Sequence, residues 1–152
     1  SREAYRHTTE TFTHGNITLE NLLYQPKQNR VVFIDPYEEN VIDSVLAEYS
    51  QVFQSSNSKY ELYNAGTPTI DGNRAELKLA PNDGLDYFNS QFTKWLTGRH
   101  DKYDLTMVKL LEVTQYARML PFKMEIDEGK MLFFYALGSW LFDALKKEWS
   151  KA

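Results

Sequence analysis

Thr13-His14-Gly15-Asn16-Ile17-Thr18-Leu19-Glu20-Asn21-Leu22-Leu23-Tyr24, then the polar link Gln25-Pro26-Lys27-Gln28-Asn29-Arg30, then Val31-Val32-Phe33-Ile34-Asp35, is the stretch on which the fold turns. Two short apolar runs, 22–24 and 31–34, flank a loop containing proline and asparagine, which is the pattern of a β-hairpin. If the link is the loop, Tyr24 faces Val31 and Asn21 faces Ile34. Antiparallel pairing then carries Asn21 and Asp35 to one open end, where the loop His14-Gly15-Asn16 also enters. An amide oxygen, a carboxylate and a glycine-bearing loop converging there suit magnesium held in part by a substrate's phosphates.

His14-Gly15-Asn16, with Asn21 five positions beyond Asn16 and Ile34-Asp35 further on, resembles the catalytic segment of the aminoglycoside phosphotransferase and choline kinase-like group. That group shares the protein-kinase fold, and its segment reads His-Gly-Asp, four residues, Asn, then an apolar strand ending in Ile-Asp. Asp35-Pro36, Leu46-Ala47-Glu48 and Met119-Leu120-Pro121 look most like the kinases of bacterial surface-polysaccharide loci, such as those for capsule polysaccharide. The likeness spans roughly residues 12–64. It implies the C-terminal lobe of a kinase-like fold that transfers the γ-phosphoryl of ATP, with Mg²⁺, to a hydroxyl of a sugar or amino-alcohol. Asn21 and Asp35 match the positions that bind metal and cofactor, His14 the residue that braces the loop, and Asn16 the position of the catalytic base. The family has Asp at that last position. Val45 also stands where the family usually has an Asp, with Asp43 two residues away. The resemblance further implies an N-terminal lobe, absent from this chain, whose glycine-rich loop covers the ATP phosphates; no such loop or Walker-type motif exists among the seven glycines.

An amide at residue 16 can position a hydroxyl but cannot accept a proton at neutral pH. Three explanations stay open: an enzyme substituted to trap substrate, a natural pseudokinase, or a divergent enzyme with its base elsewhere. The function is therefore either phosphoryl transfer or a catalytically silent module for nucleotide binding or protein interaction. A plain helical interaction domain with an accidental motif is the third reading. Thr18 and Glu20 share the loop, and Glu20, Tyr37 and Glu38 are candidate substrate contacts; solvated carboxylates and rim packing are the plainer alternatives. Glu38, Glu39 and Asp43 together suit either a cationic acceptor or a helix N-terminus.

The 152 residues, 42% hydrophobic and 25% charged, fit one domain: a catalytic loop and hairpin over 12–40 and a helical remainder over 41–152. A net charge of −4 argues against nucleic-acid binding and against docking to anionic membranes. The absence of cysteine removes disulfides and thiolate metal sites and fits a cytoplasmic location. The most apolar run, Met131 to Phe142, is too short to span a bilayer. Residues 1–12 lack the apolar core of a secretory leader.

Further along, Val41, Ile42, Val45, Leu46, Tyr49, Val52 and Phe53 predict an amphipathic helix capped by Asn40 and stopped by Ser55-Ser56-Asn57-Ser58. Asp71-Gly72 predicts a small hairpin between Thr69-Ile70 and 75–79. Three helices follow. The first, opened by Asn82 or Asp83 and ended near Gly98, presents Leu85, Phe88, Phe92, Trp95 and Leu96. The second turns Tyr103, Met107, Leu110, Leu111, Thr114 and Ala117 inward and Lys109, Glu112 and Gln115 outward, with Pro121 ending it. The third, from about Asp127 to Trp149, is apolar enough around 131–137 for the middle of a bundle. Trp95, Trp140 and Trp149 read as core residues in preference to an aromatic cage for a quaternary amine. The expected class is mainly α with a short β-hairpin.

Overall fold

A computed structural model describes residues 11–37 and 42–150; Glu38, Glu39, Asn40 and Val41 lie outside them. The chain is mainly helical, with two small antiparallel hairpins. Strands β1 (Leu22–Gln25) and β2 (Arg30–Phe33) pair with Tyr24 opposite Val31, and the Ile34 amide continues the ladder to the Asn21 carbonyl at 3.0 Å. The loop is shorter than the sequence suggests, because Gln25 and Arg30 pair and their side chains bond at 2.7 Å. Asn29, at φ 47°, closes the turn and accepts a hydrogen bond from the Tyr24 hydroxyl. The second hairpin joins β3 (Thr69–Asp71) to β4 (Arg74–Glu76) around Gly72, as the Asp-Gly pair predicts.

The first helix, α1 (Val45–Ser56), begins four residues later than Asn40 would place it. Its cap is Ser44, whose hydroxyl accepts from the Leu46 amide. Asp43 is held outside the helix, accepting from the Thr13 hydroxyl at 2.7 Å. A short helix, α2 (Tyr60–Ala65), then fills part of a region with no clear sequence pattern.

Helix α3 (Asp83–Thr97) is capped by Asn82 as expected. Helix α4 (Lys102–Ile126) runs through Pro121, correcting the expected stop. A proline in a helix interior removes one hydrogen bond and strains the preceding turn. Here tertiary contacts override it: Met119 and Leu120 pack before it, and Lys123 after it donates to Asn64 at 2.7 Å. Asp127 both ends α4 and opens α5 (Glu128–Trp149): its amide bonds the Lys123 carbonyl, and its carboxylate accepts from the Lys130 amide.

Two apolar clusters hold these helices. One joins Leu46 and Phe53 of α1 to Leu96 of α3 and Val108 and Leu111 of α4. The other centres on Tyr116 of α4 against Phe133 and Phe134 of α5. The inward face of α4 is Met107, Val108, Leu111, Glu112 and Tyr116, so the expected face was rotated; Tyr103, Thr114 and Ala117 are exposed. Glu112, expected outward, is only 2% exposed. It accepts from the Ser58 hydroxyl at 2.5 Å and from the Asn57 amide at 3.2 and 3.3 Å, donors that the end of α1 brings to it. Helix α5 is not central: it buries Phe133, Phe134, Gly138 and Leu145 and leaves Tyr135 and Trp140 exposed. All three tryptophans are well exposed, Trp140 by 66%, which corrects their assignment to the core. Trp95 instead stacks on Phe92 and lies 4.9 Å beneath the Arg99 guanidinium. No helix among the described residues is long and apolar enough to cross a membrane.

Candidate functional site

The loop 14–19 is a stretch of backbone clamped by one face of α1. Glu48, Gln51 and Ser55 recur at spacings of three and four, so their side chains share a stripe. Glu48 accepts from the amides of His14 (3.1 Å) and Gly15 (2.8 Å). Gln51 donates to the Gly15 carbonyl at 2.7 Å and accepts from the Ile17 amide at 2.7 Å. Ser55 accepts from the Leu19 amide at 3.0 Å and donates to Glu61, whose carboxyl burial pushes above its usual range. Gly15 sits at φ 76°, a conformation that a side chain would strain.

The clamped loop meets the hairpin at Asn16. Asn21 is buried and donates its amide to the Asn16 carbonyl at 2.8 Å. Asn16 in turn donates its own amide to the Asp35 carbonyl at 3.2 Å and to the Asp35 carboxylate at 3.4 Å. Asp35 is exposed at φ 57°, an uncommon backbone for a non-glycine residue. Asn16, Asn21 and Asp35 are thus one connected group. No cluster of three His, Cys, Asp or Glu residues able to hold a metal exists among the described residues. The donors present are hard oxygens, a carboxylate and an amide whose nitrogen already faces Asn16. A magnesium ion that keeps most of its ligands as water and phosphate suits that set.

His14 packs its ring 5.8 Å from Phe33, and both ring nitrogens are buried without a hydrogen-bond partner among the described residues. The polar bracing falls on its backbone, where Glu48 holds the amide and the Tyr37 amide donates to its carbonyl at 2.9 Å. Tyr37 lies 5.9 Å from the Arg118 guanidinium. Glu38 is outside the described residues.

Beside Asn16 opens a pocket of about 210 Å³ lined by Thr18, Glu20, Gln51, Gln54, Tyr60, Gln115 and Arg118, among others. Glu20 and Asn16 both face it, whereas Tyr37 reaches it only through Arg118. A larger cleft of about 550 Å³, around Glu112 and Trp140, holds none of His14, Asn16, Glu20, Asn21, Asp35 and Tyr37. Glu48 entered the sequence reading only within Leu46-Ala47-Glu48, with no role, and Gln51, Ser55 and Arg118 had no place in the motifs. Glu48, Gln51 and Ser55 carry a usable signal, polar residues at helical spacing along an amphipathic helix; Arg118 carries none. The chain matches no family model, no curated protein and no solved structure.

Proposed function

We propose that the chain supplies the metal-binding and acceptor side of an ATP- and Mg²⁺-dependent transfer of a phosphoryl group to a small-molecule hydroxyl, as a kinase-like C-terminal lobe. The observation that carries this reading is the hydrogen-bonded Asn21–Asn16–Asp35 group, whose Asn16 also lines a polar pocket. Asp35 and the Asn21 amide oxygen would hold the metal, which when bound neutralises charge on the nucleotide's terminal phosphates. The pocket seats the acceptor, and the Glu48–Gln51 clamp keeps the loop in place while its hydroxyl approaches. The acceptor oxygen bonds the γ-phosphorus as the bridging P–O bond to ADP breaks, and the hydroxyl proton passes to the transferred phosphate or to water. Asn16 orients that hydroxyl without taking its proton. The apolar side chains exposed on the hairpin, Leu23, Tyr24, Val31 and Phe33, support a further lobe closing over the nucleotide.

Titration of the chain with ATP, with and without Mg²⁺, tests the reading. Binding that needs Mg²⁺ and disappears in Asp35→Ala supports it; the same affinity in both proteins, or none, rejects it.

A second reading, a catalytically silent nucleotide-binding or interaction module, is favoured by the Asn16 amide itself, which is engaged with Asp35 where a base would face solvent. Asn16→Asp separates the two. General-base assistance is worth about 10²–10⁴ in rate, so a gain of that order in phosphate transfer identifies an enzyme. No gain identifies the silent module.

A further inference from the structure

The pocket beside Asn16 narrows the class of acceptor, an inference that rests on the transfer reading above. Its volume of about 210 Å³ equals about seven waters at roughly 30 Å³ each, room for a single sugar ring. Arg118 is the one cation on its lining. No ion pair neutralises Arg118 among the described residues. Its guanidinium lies over the Tyr37 ring, and the Tyr37 amide is tied to the His14 carbonyl, so the charge is anchored beside the catalytic loop.

Glu20 is the one acid on the lining, and its charge acts on Tyr60, Glu61 and Lys123. Thr18 also lines the pocket, and its hydroxyl is buried and without a hydrogen-bond partner among the described residues. A buried hydroxyl left unpaired is destabilising, and a ligand hydroxyl would relieve it. The buried Gln54 and the half-buried Gln115 add amides that suit a polyol.

We propose that this pocket takes a monosaccharide-sized polyol carrying one oxyanion, with the oxyanion on Arg118 and a hydroxyl on Thr18. The planar guanidinium fits carboxylate and phosphate alike, by paired N–H donors. A neutral sugar leaves that cation unmatched and binds more weakly.

Calorimetric titration of the chain, without nucleotide, with D-glucuronate, D-glucose 6-phosphate and D-glucose provides the test. At least one anion binds tenfold or more tightly than glucose, and which one does distinguishes a carboxylate from a phosphate acceptor. Arg118→Gln removes that preference, and Thr18→Val weakens the preferred anion severalfold while circular dichroism shows the fold intact. Equal affinities for the three probes, a preference that survives Arg118→Gln, or binding of none of them overturns the inference. Because nucleotide is absent, the two readings fail separately. A chain that binds Mg–ATP without preferring anions keeps the transfer reading and loses this one; a chain that prefers anions but ignores Mg–ATP does the reverse.

Discussion

Asn16 donates to Asp35 twice, to its carbonyl at 3.2 Å and to its carboxylate at 3.4 Å. An amide is therefore a structural partner at this position, and a carboxylate there would face a second carboxylate. Asn16→Asp is expected to destabilise the metal-free chain by about 1 kcal/mol, the worth of one hydrogen bond. Mg²⁺ should then stabilise the variant more than the wild type, because two adjacent carboxylates bind a hard cation better than one. Thermal unfolding with and without Mg²⁺ measures this; equal shifts in both proteins would contradict it.

Glu48 holds two backbone amides, and nothing else described satisfies them. Hydrogen bonds to a charged acceptor are worth about 1.5–3 kcal/mol each when one partner is lost, less where water replaces it. Glu48→Ala should lower stability by about 2 kcal/mol, with hydrogen exchange at Gly15 rising before that of the α4 core. Exchange accelerated uniformly across the chain would mean that the clamp is not local.

Burial holds the Glu112 carboxyl above its ordinary value near 4.5, against the opposing effects of Ser58, Asn57 and Lys109. The folded state then prefers the protonated acid. The associated stability is fully present below the unfolded value and declines as pH rises through the folded one. Denaturant unfolding across pH 4 to 8 should show wild type losing stability relative to Glu112→Gln as pH rises. A difference that stays flat or grows the other way would place Glu112 among ionised groups at neutral pH.

Asp127 serves two helices at once, and its carboxylate holds the Lys130 amide at 2.9 Å. Replacing it with Ala should cost about 1 kcal/mol, the usual value of an N-cap. Asp127→Asn, which keeps the acceptor, should cost much less. Equal losses in urea titrations of the two variants would point to charge and away from capping.

The hairpin was legible because its signal is local: β-branched residues on both sides of a turn leave few alternatives, and Tyr24 opposite Val31 follows from counting. The opening of α3 at Asn82 and the start of α5 near Asp127 were legible for the same reason. Pro121 misled because its local penalty is outweighed by contacts around Asn64 and Phe134, far away in sequence. Glu112 misled because only the arrival of Ser58 and Asn57 makes a buried acid tolerable.

By itself the sequence determined the mainly helical class and the register of the first hairpin, since each depends on residues within a few turns of chain. Tertiary structure alone decided that Glu48, Gln51 and Ser55 clamp the loop, that Arg118 shares a pocket with Asn16, and which face of α4 is inside. Those outcomes depend on how helices distant in sequence rotate against one another, and that rotation is set by the packing of whole apolar faces, which no single segment encodes.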